Sequence, residues 1–481
     1  MKIVIVGGGT AGWISALYIS YAQKGQHDIT VIESSALGII GTGEGSTGAL
    51  HDLLNGDFFP GLHVDITDFM NKTDATYKYG INNVNWTGDG SSYFSPIDIS
   101  PTANNSFDYI FRYALYKFGN QNVSMGSRLG IKYSQKMFDN SPAMHFDGHK
   151  VGEYLKSLCA ENNVKSIDAI VKDVSLDTEG NVKELTLDDG SIIHGDFFLD
   201  CSGFARLINK KVGSTWKSCK KDLSLDTGLP FIVQYKPEDV FVPETTSTAL
   251  SSGWMFNIPL TTRRGMGYVF DSDFISVDDA KLEVEKYLGH EIDPIKTIKY
   301  DVGYLVDPWK NNVLSVGLSS SFFEPLEATS IHNTITQLML FVSSFLNKEK
   351  EHTLNRSNEE LYNRLVRQLN TSTLDFLSLH YQGGRDNSDF WKNIKDGNMI
   401  SDGAREMLNA YKHKIPSPFI YPSMIGSFSM ALANWNLAGT NIITREQAYK
   451  ELVEHNLLEI AEIHYNDFYD FASEKGKYAR P

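Results

Sequence analysis

Lys78 has the setting most typical of a chemically active residue in this chain. It lies between Tyr77 and Tyr79, and aromatic neighbours on both sides are expected to remove part of its hydration. Desolvation disfavours the ammonium form, so the pattern favours a neutral amine. The alternative is an ordinary surface lysine whose aliphatic stem covers apolar neighbours, which is the commoner situation. Residue type and spacing alone leave both interpretations open.

Two acids separated by two residues form a second candidate. Glu324 and Glu327 stand just before the segment 329–346, in which apolar residues recur at helical spacing. Carboxylates are favoured in the first turn of a helix by the helix dipole, which is a purely structural explanation. A positioned carboxylate can also act as a general base, and the two roles are compatible. At this point the sequence does not choose between the two acids.

A glycine-rich turn near the N-terminus predicts a dinucleotide site. An apolar run, 3–6, leads into the turn GGGTAG at 7–12, a helical segment at 13–22 and a β-rich run that ends in an acid. The three glycines of the pattern permit the tight turn, the approach to a pyrophosphate and the packing of helix on strand. The helix N-terminus offers free N–H groups to phosphates, and the acid can accept hydrogen bonds from a ribose hydroxyl. The residues predicted to hold the dinucleotide here are Gly7, Gly9, Thr10, Ala11, Gly12 and Glu33.

Two later segments also predict a backbone held close to a cofactor. Residues 41–47 contain three glycines, which flank Glu44 and include Gly45. A β-rich run, 191–199, ends in Asp200-Cys201-Ser202-Gly203, where the acid can bond ribose or ribityl hydroxyls and the glycine permits close approach. No second dinucleotide fingerprint follows, so a separate NAD(P)H-binding domain is not expected.

Composition narrows the class of protein. The chain has 481 residues and a formal net charge of −15, which disfavours binding to nucleic acid. No apolar run reaches the ~18 residues needed to cross a bilayer. The three cysteines are widely spaced and form neither a zinc pattern nor a disulfide framework, as suits a reducing compartment. We therefore expect a cytoplasmic globular protein without a metal site, a membrane span or a nucleic-acid partner.

Hydrophobic periodicity outlines an α/β organisation. A helix is predicted over 149–162 and a largely helical region over 355–465. The turn Asp188-Asp189-Gly190 predicts a hairpin between the runs 182–188 and 191–199. The other predicted strands are 166–176 and 312–318, with 229–235, 253–258 and 267–270 forming a second sheet.

Four motifs follow one another in a fixed order along the chain. They are GGGTAGWxxA from Gly7, KYG from Lys78, DCSGF from Asp200, and GLSSSFFEPLEAT from Gly317 to Thr329. The segments 267–274, 375–381, 385–386 and 390–391 agree with the same pattern. In this combination the chain resembles the flavin-dependent halogenases of the tryptophan-halogenase family, from residue 1 to about residue 391.

The resemblance implies an α/β fold with a discontinuous cofactor domain. We expect a FAD-binding, Rossmann-like domain of the GR2-type flavoproteins, with an inserted β-sheet module and a largely helical C-terminal part. The FAD domain is expected to comprise 1–80, 140–212 and 296–332, and the substrate-binding module 81–139, 213–295 and 333–481. The further FAD contacts implied are Glu44, Gly45, Val171, Asp200, Gly203, Leu318 and Ile331.

The resemblance also implies a mechanism. A separate flavin reductase supplies the cofactor as FADH2, which with oxygen converts a bound halide into hypohalous acid. Lys78 matches the family's catalytic lysine, which receives that acid through an internal tunnel, and Glu327 matches its catalytic glutamate. Thr329 and Ser330 match the halide site at the start of a helix. The expected product is a halogenated, electron-rich aromatic ring such as an indole, phenol or aniline.

Two departures from the family pattern lie near the flavin and the halide. In the family signature W-x-W-x-I-P the second tryptophan is Phe256 here, which keeps an apolar wall. In the family this motif is thought to block ordinary monooxygenation, and we expect Phe256 to preserve that block. Ala328 and Ser330 replace the usual serine and glycine beside the halide, so we expect a halide preference that differs from plain use of chloride.

A third departure lies in the substrate pocket. The segment that supplies stacking rings in the family is Phe94-Ser95-Pro96-Ile97 here, with Ser95 and Ile97 in place of a histidine and a phenylalanine. An aromatic slot for free tryptophan is therefore not expected. We predict another aromatic substrate, in a pocket lined by Phe94, Ser95 and Ile97.

Two other functions compete with halogenation. An FAD-dependent monooxygenase or oxidoreductase of the same fold is less favoured because Lys78 and Glu327 both match the family. A non-catalytic flavin-binding protein is less favoured because the departures spare these reacting groups. Homodimers are common in the family, but no feature of the sequence defines an interface for a homo-oligomer.

Overall fold

The computed structural model describes residues 1–37, 41–57, 61–96, 106–119, 143–346, 354–415 and 430–474. The predicted pocket residue Ile97 lies outside these ranges. No helix within them is both long and apolar enough to cross a membrane.

Strands and helices alternate along the first half of the chain, and helices dominate the last third. The strands are Lys2–Val6 (β1), Asp28–Glu33 (β2), Glu44–Gly45 (β3), Thr76–Lys78 (β4), Gly80–Val84 (β5), Ser92–Pro96 (β6), Ala143–Phe146 (β7), Lys165–Asp168 (β8), Val171–Leu176 (β9), Val182–Leu187 (β10), Ile192–Ile193 (β11), Phe197–Asp200 (β12), Trp216–Ser218 (β13), Thr227–Gln234 (β14), Thr245–Leu250 (β15), Gly253–Pro259 (β16), Arg263–Phe270 (β17), Ile298–Lys299 (β18), Gly303–Leu305 (β19), Trp309–Lys310 (β20), Val313–Ser315 (β21) and Ser321–Phe322 (β22). The helices are Thr10–Ala22 (α1), Gly48–Asn55 (α2), Ile66–Lys72 (α3), Ser106–Phe118 (α4), Gly148–Glu161 (α5), Asn209–Val212 (α6), Val277–Leu288 (α7), Thr329–Ser344 (α8), Arg356–His380 (α9), Asp389–Lys395 (α10), Asp402–Tyr411 (α11), Met430–Gly439 (α12), Arg445–Glu454 (α13) and Leu458–Glu474 (α14).

A six-stranded sheet in the order β20-β21-β12-β1-β2-β8 contains β1 and β2, the two strands that flank the glycine-rich turn and helix α1. All of its pairs are parallel except β20 with β21. Successive residues of β1 enter different cores: Ile3 and Ile5 pack with helices α1, α5 and α8, whereas Val4 and Val6 pack with β9 and β10. A strand with both faces covered must be apolar throughout, which is why residues 3–6 form an unbroken hydrophobic run.

The predicted strand 191–199 is wrong in its length and pairing. Only Ile192–Ile193 forms the hairpin with β10, and Phe197–Asp200 leaves it to lie parallel between β1 and β21. The four residues of β12 are all buried, because this strand has covered faces on both sides. The predicted strand 312–318 is similarly reduced to Val313–Ser315, since Gly317 (φ +71°) turns the chain into a short 3₁₀ helix.

The second sheet has seven strands in the order β18-β14-β17-β16-β15-β5-β6. It contains the three predicted strands, here β14, β16 and β17, and adds β15, β18 and the two strands that follow Lys78. Strand β5 pairs in parallel with β15 and antiparallel with β6. Lys78 therefore ends β4, in a small sheet with β3 and β7, two residues before the chain enters the large sheet.

The C-terminal helices form a separate apolar core against strands of the second sheet, among them β6, β15 and β16. This core contains an aromatic cluster, defined as Trp86, Trp254, Tyr381 and Trp391, in which Trp86 meets Tyr381 and Trp391 edge to face and the last two rings stack. Helix α9 runs past this cluster and ends at His380. Helix α8 instead packs with the first core, so the predicted domain boundary at residue 332 falls within α8.

Candidate active site

One cavity of about 810 Å³ connects the nucleotide loop to Lys78 and Glu327. It lies between the six-stranded sheet and the seven-stranded sheet. The predicted site residues that line it are Gly7, Gly9, Thr10, Ala11, Glu33, Glu44, Gly45, Lys78, Val171, Gly203, Leu318, Glu327, Ser330 and Ile331. Of the other predicted residues, Gly12, Asp200 and Thr329 lie behind this lining, and Phe94 and Ser95 lie off it.

The glycine loop has the geometry that a bound pyrophosphate needs. Gly7 has φ +121°, and a Cβ there would lie 2.1 Å from the carbonyl oxygen of Cys201. A Cβ on Gly12 would lie 1.9 Å from the carbonyl oxygen of Gly7, so α1 packs tightly against β1. A Cβ on Gly9 would meet no atom within 4 Å, because this residue borders the cavity. The loop, the start of α1 and the cavity fit a dinucleotide cofactor.

The two predicted ribose-binding acids have different surroundings. Glu33 lines the cavity at the end of β2, where its Oε1 accepts hydrogen bonds from Ser166 Oγ (2.9 Å) and from Lys156 Nζ. Asp200 is fully buried, and its carboxylate accepts hydrogen bonds from backbone and hydroxyl groups of residues 202, 208 and 209. These donors occupy the Asp200 carboxylate, so this acid shapes the loop after β12 instead of facing the cavity.

Lys78 is buried with only 1% of its surface exposed. Burial lowers the pKa of its amine to about 8, although the negative charge of Glu327 acts in the opposite direction. Its Nζ donates a long hydrogen bond of 3.4 Å to the carbonyl oxygen of Ser46. A Cβ on Gly45 would lie 3.2 Å from Nζ and 3.7 Å from the Cβ of Ala328, so this glycine leaves room for the lysine beside residues 327–328.

Glu44 is a half-buried acid on the cavity wall. Burial, aided by the charge of Asp147, raises the pKa of the Glu44 carboxyl to about 7. A Cβ on Gly148 would lie 2.0 Å from its Oε1, so the glycine at the start of α5 makes room for the Glu44 side chain. Glu44 therefore lies where the glycine-rich segment 41–47 meets the cofactor cavity.

Glu327 has a strained backbone and a buried side chain. Its φ of +62° and the φ of +56° at Ala328 are left-handed conformations that cost free energy in residues with a Cβ. The side chain is 4% exposed, and its Oε1 lies 2.9 Å from Nε2 of His380. Nδ1 of His380 lies 3.0 Å from the carbonyl oxygen of Phe376, one turn earlier in α9. The strained turn and the histidine together hold the carboxylate at the cavity wall.

Glu324, the rival acid, occupies a different environment. It is fully buried, does not line the cavity, and accepts hydrogen bonds of 2.7 and 2.8 Å from the hydroxyl group of Tyr381. Burial raises the pKa of its carboxyl to about 8, so it is mostly protonated at neutral pH. Of the two acids, only Glu327 borders the space that also contains Lys78.

Helix α8 begins beside Glu327 with an uncapped N-terminus. Ala328 occupies the N-cap position and supplies no side-chain oxygen, and no acid lies in the first turn of the helix. Ser330 lines the cavity, while the Thr329 hydroxyl is buried without a hydrogen-bond partner among the described residues. An uncapped helix start on a cavity is a favourable place for an anion.

The predicted substrate residues Phe94 and Ser95 lie on β6, and both are fully buried. The ring of Phe94 covers Gly80, where a Cβ would lie 2.1 Å from Cζ, so the glycine of the KYG motif is required by this contact. Trp254 and Phe256 line the cavity with ring centroids 6.2 Å apart.

Sequence reasoning did not identify His380 as a partner of Glu327, although His380 stands in the segment 375–381 that supported the family resemblance. The two residues are 53 positions apart, and no local pattern indicates their contact. The fold and site define an α/β enzyme that binds a dinucleotide cofactor next to a buried amine and a strained carboxylate.

Comparison with known proteins identifies the family. The model of the family described as "Tryptophan halogenase" matches residues 2–453, and the chain belongs to this family. It is 30% identical to the 7-chloro-L-tryptophan 6-halogenase KtzR of Kutzneria sp. over 463 residues, which is 87% of each chain. It is also 30% identical to the tryptophan 7-halogenase RebH of Lentzea aerocolonigenes, over 85% of this chain and 82% of RebH.

Solved structures agree with this assignment. The flavin-dependent halogenase Xcc4156 from Xanthomonas campestris superimposes with a TM-score of 0.85 at 25% identity, over 98% of this chain and 96% of that chain. The tryptophan 6-halogenase SttH from Streptomyces toxytricini shares the fold with a TM-score of 0.84. The predicted family and the predicted α/β flavoprotein fold are confirmed, and the chain is an enzyme of the flavin-dependent halogenase class.

Proposed function

We propose that this enzyme halogenates an electron-rich aromatic carbon on a substrate other than free tryptophan, with Lys78 and Glu327 as its catalytic residues. When it is bound, reduced FAD together with oxygen would supply the oxidising equivalents that convert a halide into an electrophilic halogen. The observation that carries the proposal is the shared cavity. Both buried reacting groups line the same space as the nucleotide loop.

Lys78 is suited to deliver an electrophilic halogen. With a pKa of about 8, roughly one amine in ten is neutral at pH 7, which is far more than for an exposed lysine. The neutral amine has a lone pair that accepts an electrophilic halogen, and the ammonium form can donate a hydrogen bond to hypohalous acid. Burial excludes most water, which would otherwise compete for the halogen.

Glu327 is suited to stabilise the cationic ring that forms when the halogen adds to an aromatic carbon. Its carboxylate can then accept the proton that leaves this carbon. The hydrogen bond to His380 and the left-handed backbone keep the carboxylate at one position on the cavity wall. These features support Glu327 over Glu324, which is protonated and turned towards Tyr381.

The halide is proposed to bind at the start of α8. Thr329 and Ser330 are its first two residues, and the preceding residue offers no capping side chain. The free backbone N–H groups and the positive end of the helix dipole favour an anion there. The site adjoins Glu327, so a halide bound there lies close to the cavity in which it would be oxidised.

A flavin reductase is the proposed source of reduced FAD, because the chain contains a single dinucleotide fingerprint. We propose that residues 1–80, 140–212 and 296–332 bind FAD and that most of the remaining chain binds the substrate. The six-stranded sheet draws its strands from the first group, which supports this division.

The test supplies the enzyme with FAD, a flavin reductase, NADH, oxygen and bromide, and screens indoles, anilines and phenols for brominated product by mass spectrometry. Lys78→Ala should abolish the product while flavin oxidation continues. Regioselective bromination by Lys78→Ala would contradict the mechanism. Hydroxylated product without halogen would favour the alternative, an FAD-dependent monooxygenase.

A further inference from the structure

Three adjacent strands of the second sheet place polar side chains in one row. Asn83 of β5 pairs with Tyr93 of β6 on one side and with Ser247 of β15 on the other. Residues directly paired across strands point to the same face of a sheet, and residues two apart on one strand do so as well. Ser95 therefore joins the same face, and we call these four residues the polar patch.

The polar patch lies next to the reaction site. Ser247 is the patch member that lines the cavity containing Lys78 and Glu327, and Ile81, on the same face of β5 as Asn83, lines it too. Asn83, Tyr93 and Ser95 continue this face beyond the cavity lining. The ring of Tyr93 lies against Gly439 of α12, where a Cβ would be 2.2 Å from the ring. Burial, together with the negative charge of Glu327, raises the pKa of the Tyr93 hydroxyl.

Every member of the patch is buried and none has a satisfied side chain. Asn83 and Ser95 are 0% exposed, and Ser247 and Tyr93 are 1% and 3% exposed. Both amide atoms of Asn83 and the three hydroxyl groups lack a hydrogen-bond partner among the described residues. Native proteins leave few buried polar groups in this state because each one destabilises the fold. Four in one patch beside a reaction site indicate that a ligand completes their hydrogen bonds.

The patch offers hydrogen bonds without charge. No patch residue carries a charge, and two buried arginines of the described chain already have partners: Arg112 pairs with Glu451 at 3.1 Å, and Arg385 donates to backbone oxygens of Asn85 and Ala249. A zwitterionic amino acid would bury an ammonium and a carboxylate, and buried charges require ionic or dense hydrogen-bonded partners. A neutral ligand requires only the hydroxyl and amide groups that the patch presents.

We propose that the polar patch binds an uncharged oxygen group on the aromatic substrate, so that the enzyme halogenates a neutral hydroxyl- or carbonyl-bearing aromatic compound and not an amino acid. This inference rests on the proposed halogenation and specifies its substrate class. Asn83 can donate to and accept from such a group, and the three hydroxyl groups can do either.

The test compares 2-naphthol with 2-methoxynaphthalene, which share the ring but differ in one donor. The variants Ser95→Ala, Tyr93→Phe and Asn83→Leu each remove patch hydrogen-bonding atoms with little change in size. In each variant, kcat/KM for 2-naphthol divided by kcat/KM for 2-methoxynaphthalene should fall about tenfold or more relative to the wild type, because the naphthol hydroxyl loses its hydrogen-bond partner. Ser92→Ala is the matched control, since Ser92 lies on the same strand but is exposed.

Two measurements separate this inference from the proposed function. Calorimetric binding of 2-naphthol requires no turnover, so loss of binding in the patch variants supports the patch even if no halogenated product forms. Thermal unfolding without ligand should show unchanged or raised midpoints in Ser95→Ala and Asn83→Leu, because no internal hydrogen bond is lost. Unchanged binding and ratios in the folded variants, or turnover of free tryptophan as fast as that of 2-naphthol, would overturn the inference.

Discussion

The imidazole of His380 bridges two hydrogen-bond acceptors, the carbonyl oxygen of Phe376 and the carboxyl group of Glu327. A neutral imidazole has one N–H, so it cannot donate to both. The two contacts fix the orientation of the ring, and through it the position of the Glu327 carboxyl group.

His380→Phe should lower kcat for halogenation by about ten- to a hundredfold, because Glu327 loses its only described hydrogen-bond partner in the cavity wall. The halogenation assay should show a smaller effect for His380→Gln, whose amide can donate to the carboxylate. Values of kcat equal to that of the wild type in both variants would contradict a positioning role.

Halogenation should depend on pH through Lys78. Its pKa of about 8 in the fold predicts that the neutral amine, and hence the product-forming rate, increases from pH 7 to pH 9. Single-turnover product formation, measured with pre-reduced flavin, isolates this step from reductase activity. A rate that is flat or falls over this range would contradict the need for the neutral amine.

The same lysine should destabilise the fold. The pKa of the Lys78 amine is near 10.5 in the unfolded chain and about 8 in the fold. Below pH 8 the amine is charged in both states, so folding carries the full free-energy cost of burying the charge. Lys78→Met should therefore stabilise the protein by about 3 kcal/mol at pH 7, and this gain should disappear as the pH approaches 10.5. Denaturant unfolding at several pH values checks this, with Lys72→Met as an exposed control.

Glu327→Gln should reduce product formation far more than Glu324→Gln. The first removes the carboxylate on the cavity wall and should abolish most of the product. The second replaces a carboxyl that is already mostly protonated at neutral pH, and Tyr381 can still donate to the amide oxygen. Product yields of the two variants at pH 7 decide between the acids, and a larger loss in Glu324→Gln would reverse the assignment.

The halide site should accept more than chloride. Ala328 removes the hydroxyl that the family usually presents beside the halide, and Ser330 adds a side chain at the cavity wall. We expect bromide to compete well with chloride, because a site with fewer donors penalises the more strongly hydrated anion. Competition assays with chloride, bromide and iodide test this, and Ala328→Ser should shift use towards chloride. Strict chloride selectivity in the wild type would contradict the prediction.

Local sequence was sufficient to predict the structure wherever one continuous segment contains both the pattern and the residues that explain it. The glycine turn, β1 and α1 are neighbours in the chain, so steric limits at Gly7 and Gly12 and the apolar run 3–6 could be recognised directly. The apolar periodicity of 329–346 likewise predicted α8, which spans Thr329–Ser344. The family motifs added the functional class, because their order along the chain is itself a property of the sequence.

Tertiary structure decided which distant groups meet. Residues 197–200 do not join the predicted hairpin, because pairing with β1 buries both faces of this apolar strand. As a result, the Asp200 carboxylate accepts hydrogen bonds from backbone N–H groups and does not face the cavity. The Glu327–His380 contact and the polar patch each join segments far apart in the chain. Residue-by-residue preference specifies local conformation, whereas contacts between distant segments depend on register and packing of the whole fold. The sequence by itself therefore predicted the cofactor cradle and the candidate reacting residues, and only the fold determined how they are held and what surrounds them.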